Sequence, residues 1–171
     1  FSPEADVSIR SADVSRDGTD CALSWQGGRF LLHIPFVGRH HGYTAAAAFA
    51  MGLVYDVDLK EVASALQAVS PLVGRTRLLP GVRSCELLDG SCSANPTSAL
   101  ATLDILRSLE AGRRIVVLGG MTHLGEDTEP GHRRVGRRCA EVADLLLAKG
   151  DLARVAAEEA IDSGMPSDRV H

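Results

Sequence analysis

The stretch Asp89-Gly90-Ser91-Cys92-Ser93-Ala94-Asn95-Pro96 places a carboxylate, hydroxyls, a thiol and an amide directly ahead of a segment that opens on proline. A helix N-terminus presents free N–H groups and a partial positive charge, so such a turn can hold a ribose or a phosphate. The same residues also suit an Asx-type turn in which Asn95 only caps the helix begun by Pro96. Cys92 would act as a nucleophile only beside a base, and the sequence puts none near it, so it reads as a passive thiol. The turn Gly119-Gly120-Met121-Thr122-His123-Leu124-Gly125 has neither the G-x-G-x-x-G spacing nor the phosphate-cradling G-x-x-x-x-G-K-S/T loop. Its glycines serve either a sharp strand-to-loop turn or the approach of a ligand. His40 and His41 open a helix and can face a ligand, but adjacent side chains diverge and make a poor metal pair. His123 and His132 do not read as a pair. Arg75, beside Gly74, carries a guanidinium suited to phosphate oxygens, although a surface position is its ordinary fate. Arg133, Arg134, Arg137 and Arg138 read as one solvated helix face.

The elements that must position these residues fall into two kinds. Up to residue 36 the sequence alternates through Val7–Ile9, Cys21–Trp25 and Phe30–Ile34, with turns at Arg16-Asp17-Gly18 and Gly27-Gly28. This predicts a β-meander that cannot close a core alone. An alanine-rich helix follows over His40–Leu53, its small side chains suited to close packing. A second helix runs to Val69, capped by Asp58 with Glu61 completing a box-like pattern, and Ser70-Pro71 stops it. Beyond Gly74 the pattern becomes strand and helix in alternation: a strand ending at Leu88, a helix over Thr97–Leu109, and a buried strand from Ile115 to Leu118. A helix over Pro130–Val142, a strand over Asp144–Ala148 and a helix over Leu152–Ile161 complete it, with a further strand due at Val170-His171. The fold class is α/β, a parallel sheet with flanking helices preceded by the meander and two helices. Ligands in such sheets sit beyond the carboxyl ends of the strands, which would set the Asp89–Asn95 and Gly119–Gly125 turns side by side.

Composition narrows the possibilities. With 45% apolar residues and a formal charge of −4, the chain can bury a core and offers no basic, aromatic-lined stripe for nucleic acid. No apolar run approaches the roughly 20 residues of a membrane span. Cys21, Cys85, Cys92 and Cys139 lie at neither zinc nor C-x-x-C spacing, which reads as reduced thiols in a cytoplasmic protein. The chain begins at Phe1, so it reads as a possible fragment.

Four stretches together resemble the Mur ligase family. Gly38-Arg39-His40-His41-Gly42-Tyr43-Thr44-Ala45-Ala46-Ala47-Ala48 resembles its G-R-H-N-x-x-N-A-x-A-A-A, and Gly74-Arg75-Thr76-Arg77 its G-R-x-E. Asp89 to Ser98 resembles D-D-S-Y-N-A-N-P-x-S, and Leu118 to Gly125 resembles L-G-D-M-x-E-L-G. The resemblance runs in order from about Asp6 to His171. It implies that residues 1–73 are the tail of a central ATPase domain and 75–171 most of a Rossmann-like carboxy-terminal domain. The implied activity is that of an ATP-dependent, amide-forming ligase of bacterial peptidoglycan synthesis. Such an enzyme adds D-alanyl-D-alanine or a related amino compound to a UDP-muramoyl peptide through an acyl phosphate, with Mg²⁺ bridging the phosphates.

The resemblance also implies nucleotide contacts at His40, His41, Arg75, Asp89 and Asn95, with Ser98 and His123 on the side of the incoming amino compound. It gives this chain no metal ligand. The family's phosphate loop, acidic metal ligands and carbamylated lysine would fall before Phe1, so this chain alone is expected not to catalyse. The departures are specific: His41 and Thr44 stand for two asparagines, one of which serves adenine recognition, and Cys92-Ser93 stand for Tyr-Asn. Gly120 replaces Asp, His123 replaces Glu, and Gly90 takes the place of the ribose-contacting Asp unless Asp89 does. These departures leave a second reading, a non-catalytic module that binds a partner or a nucleotide-linked ligand. An unrelated Rossmann-like binding domain would not carry the four motifs in order.

Overall fold

The computed structural model describes residues 5–171, and the chain divides into two compact units, one ending at Asp89 and the other starting at Gly90. In the first, β1 (Val7–Val14), β2 (Thr19–Trp25) and β3 (Gly28–Ile34) form an antiparallel meander in that order. Gln26 and Gly27 both adopt positive φ at the β2–β3 turn, as a two-residue hairpin of this twist requires. The alternation buries Ile9, Ala12, Cys21, Leu23, Leu32 and Ile34 on one face, against Ala45, Phe49 and Val62 from α1 (His41–Val54) and α2 (Leu59–Ala68).

Close packing here depends on glycine more than on the alanine run. Only Ala45 of Ala45–Ala48 is fully buried, whereas a Cβ at Gly52 would come within 2.5 Å of the Val62 side chain. At the start of α2, Asp58 accepts the Lys60 amide at 2.8 Å. The cap therefore engages the second helical residue rather than the Glu61 amide that the expected box would use.

β4 (Arg77–Pro80) and β5 (Glu86–Asp89) form an antiparallel hairpin. This corrects the expectation that the strand ending at Leu88 joins the parallel sheet. The Arg83 and Ser84 backbones turn with positive φ, which folds β5 back onto its sequence neighbour β4. Apolar periodicity marks a strand but does not choose its partner.

The second unit contains α3 (Pro96–Ser108), β6 (Ile115–Gly119), α4 (Thr128–Val142), β7 (Leu145–Lys149) and α5 (Asp151–Asp162). β6 and β7 pair in parallel with Ile115 opposite Leu145. The strand expected at the end of the sequence begins as a parallel bridge of Val170 to Leu146. Leu103, Leu118, Met121, Val135, Cys139, Leu146, Ala153, Ala156 and Ala160 build the core. β6 is not buried on both faces as its β-branched run suggested, because Val117 is 73% exposed and Ile115 46%.

Nor are the arginines of α4 merely solvated. Arg133 pairs with Glu129 and Glu159, Arg137 with Glu159, Arg134 with Asp127, and Arg138 with Asp104 and Glu141. The network ties α4 to both α3 and α5. The two helices α4 and α5 meet where Gly136 lies on the α5 backbone, and a Cβ there would collide with the Ala156 carbonyl. Gly136→Ala should therefore lower the urea midpoint by an amount equivalent to about 1–3 kcal/mol, the usual cost of overpacking. Gly112→Ala, which faces open space, serves as the control and should leave the midpoint nearly unchanged.

Candidate functional site

In the first unit, the link from β3 into α1 carries His40 and His41. Thr19, the first residue of β2, is fully buried, and its hydroxyl lies 2.7 Å from the Phe36 carbonyl and 3.1 Å from the Gly38 amide. The His41 amide in turn donates to the Gly38 carbonyl at 3.0 Å. The two imidazoles lie with centroids 4.0 Å apart and planes tilted by 40°, and the His41 ring lies 5.1 Å from the Phe36 ring. Nε2 of His41 is buried with no hydrogen-bond partner. A buried polar atom left unpaired typically costs about 1–3 kcal/mol, so this atom suits a ligand group that can bond to it.

Burial lowers the pKa of His40, although the residue keeps an exposed edge. Burial, and secondarily the neighbouring His40, pulls His41 down to about 4. Arg75 is exposed, between Gly74 and Thr76, which both have positive φ. Asp89 pairs across the hairpin with Arg77, so Arg75 and Asp89 stand at the same end of the β4–β5 ladder.

In the second unit, Asn95 caps α3 in a full capping box. Its Oδ1 accepts the Ser98 amide at 3.0 Å, and the Asn95 amide donates to Ser98 Oγ at 3.0 Å. The capping reading of Asn95 is thus realised, and Ser98 is engaged in the same motif. His123 is exposed with φ +63°, its Nδ1 3.0 Å from Thr122 Oγ1. A Cβ at Gly131 would come within 2.5 Å of Pro96, so the starts of α3 and α4 are in contact and the Asn95 turn lies by the turn after β6. Cys92 is exposed, its Sγ 3.8 Å from Ser93 Oγ. Cys139 is buried, and its thiol is pushed up to about 12.

Thus His40 joins His41, and Asn95 joins Ser98. His40, His41, Arg75 and Asp89 belong to the first unit, while Asn95, Ser98 and His123 belong to the second. Among the described residues, no cluster of three or more His, Cys, Asp or Glu is arranged to hold a metal ion, so these residues do not fit a Mg²⁺ site. Those same residues include no helix long and apolar enough to cross a membrane.

Sequence reasoning gave no role to two residues that organise these turns. Thr19 is one, a lone hydroxyl at the head of an apolar strand. His132 is the other: fully buried, it accepts the Met121 amide at Nε2 at 3.0 Å, so Nδ1 carries the proton donated to the Thr128 carbonyl. The signal for His132 was its place on the buried stripe with Val135, Cys139 and Val142.

The family description "Mur ligase, glutamate ligase domain" matches residues 74–171. The chain is similar to the UDP-N-acetylmuramoyl-tripeptide–D-alanyl-D-alanine ligase of Haemophilus influenzae, 29% identical over 90% of this chain and 34% of the relative. It is likewise similar to the enzyme of that name from Escherichia coli K12, at 30% identity over 88% of this chain and 34% of the relative. The chain thus spans about a third of the length of these relatives. Among solved structures, MurF from Acinetobacter baumannii matches with a TM-score of 0.84 and 25% identity, covering 100% of this chain and 36% of that one. The fold also matches MurF of Thermotoga maritima in complex with ADP, at a TM-score of 0.74 and 17% identity, over 98% of this chain and 37% of that one.

The depressed histidines make stability depend on pH. Between the ordinary value of 6.5 and about 4, the unfolded chain holds a proton at His41 that the folded chain does not. Stability should therefore be full above about 6.5, fall as pH drops through that window and level off below it. Urea midpoints measured from pH 7.5 to 4 should fall less steeply for His41→Phe than for the wild type. Parallel curves would remove the burial account of His41.

Proposed function

The chain belongs to the Mur ligase family, and from that premise we propose that it is part of an ATP-dependent ligase of peptidoglycan precursor synthesis. The reaction joins D-alanyl-D-alanine, or a related amino compound, to a UDP-muramoyl peptide. The observation that carries this reading is the similarity over about nine-tenths of the chain to enzymes named for that ligation. On this reading residues 1–73 are the tail of the central ATPase domain and 75–171 most of the carboxy-terminal domain.

The chemistry has two displacements. A substrate carboxylate oxygen attacks the γ-phosphorus of ATP and releases ADP, which leaves an acyl phosphate. The incoming amine then attacks the acyl carbon, phosphate departs, and the amine loses a proton. Phosphoryl transfer of this kind depends on positioning and charge neutralisation. Arg75, exposed beside Gly74, is suited to turn its fork of donors onto phosphate oxygens. The His40–His41 pair, with the unpaired Nε2 of His41, offers an edge for the polar rim of a nucleotide, and Asp89 stands at the Arg75 end of the hairpin to accept a ribose hydroxyl. Asn95 serves the nucleotide side by ordering the start of α3. Ser98 shares that cap and His123 lies on the exposed turn after β6, both on the side of the amino compound.

Two measurements test this. The 171-residue chain, whose sequence holds no phosphate-loop motif, should release no phosphate above a no-protein control with ATP, Mg²⁺, UDP-muramoyl tripeptide and D-alanyl-D-alanine. The polypeptide encoded by the complete gene should turn over, and Arg75→Ala should slow it on the order of 10²-fold, as removal of a charge-stabilising donor does, with little change in melting temperature. Normal turnover without Arg75 would remove its phosphate role. Binding of ADP by the complete polypeptide with no phosphate release would instead favour a non-catalytic module.

A further inference from the structure

In the passage from β3 to α1, Phe36 packs against the core and Val37 is buried, and the backbone is tied to the sheet through the Thr19 side chain. Thr19 pairs with Ile34, the last residue of β3, so its hydroxyl stands where the chain leaves the ladder. A hydroxyl has one proton to give. The shorter contact, 2.7 Å to the Phe36 carbonyl against 3.3 Å to the Gly38 carbonyl, takes that proton. The oxygen then accepts the Gly38 amide at 3.1 Å. The Gly38 carbonyl is left for the His41 amide at 3.0 Å, which starts α1. Gly38 itself turns at φ +140°, a conformation other residues rarely adopt. The path from Thr19 through Gly38 to His41 is thus a continuous run of hydrogen bonds, with the neighbouring, mutually tilted His40 and His41 rings at its end.

We propose that Thr19 is a positioning residue for the His40–His41 edge, its buried hydroxyl fixing the Phe36–Gly38 link and so the place where the two imidazoles stand. That this edge meets a nucleotide rests on the function proposed above, whereas the positioning role does not. A threonine that only filled space would be replaced without consequence by valine, which keeps its shape. Valine would leave the Phe36 carbonyl and the Gly38 amide unpaired in a buried place, and the link would have to open to water to satisfy them.

The experiment is a histidine titration and an amide-exchange measurement by NMR on the labelled 171-residue chain, its Thr19→Val variant and its Thr19→Ser variant. In Thr19→Val, the His41 titration should climb from about 4 toward the ordinary histidine value by about one pH unit or more. Its Gly38 amide should exchange at least roughly tenfold faster, as expected when a buried donor loses its acceptor. Thr19→Ser should keep both as in the wild type, because the hydroxyl remains. A Thr19→Val protein that matches the wild type in both readouts overturns the proposal, as does a Thr19→Ser protein that behaves like valine. Should Thr19→Val fail to fold, the wild type and Thr19→Ser decide: a Gly38 amide that exchanges at the rate of an unstructured peptide in the wild type overturns it. ADP added to the complete polypeptide, labelled at histidine, separates the two ideas. Absence of shifts at the His40 and His41 rings removes the nucleotide reading and leaves the positioning result standing.

Discussion

The distance between packed helices is set by what stands at their crossing, and where α4 meets α5 and α1 meets α2 that residue is glycine. Gly136 lets α4 rest on the α5 backbone at Ala156, and Gly52 lets α1 rest on Val62 of α2. Much of the second unit follows from the first of these. His132 lies four residues before Gly136, on the same face of α4, so the approach that buries Gly136 also carries the imidazole inward to Met121. Arg133 and Arg137 flank the crossing and reach Glu159 on α5. Such pairs hold long, partly solvated arginine side chains in place and gain little net stability from it, whereas an extra carbon at such a contact costs about 1–3 kcal/mol. The small residue decides the geometry, and the charges align with it.

Two buried polar side chains then fix the turns that bear the candidate site. Thr19 satisfies the backbone between β3 and α1, and His132 satisfies the backbone between β6 and α4. Each answers peptide groups that would otherwise be left unpaired away from water. His41 Nε2 is the contrasting case, buried and without a partner. The capping box engages both Asn95 and Ser98 with each other, so that end of α3 presents an ordered helix start more than a set of reaching side chains. The first unit holds the unmet polar demand and the second a rigid N-terminus.

Local patterns carried far in this chain. Alternation located the meander, helical spacing located all five helices to within a few residues, and Asn95-Pro96 announced its own cap, because each of these depends on neighbours close in sequence. The order of four short motifs was enough to point to the family that residues 74–171 match. Tertiary structure alone decided the rest: that β5 pairs with β4, that Val117 faces outward, that the α4 arginines each find a carboxylate, and that Thr19 and His132 each meet the backbone of a neighbouring turn. The physical reason is common to all of these. A residue's period fixes which face of its own element it occupies, whereas its partner is a residue on another element, brought there by packing that no local window of sequence contains.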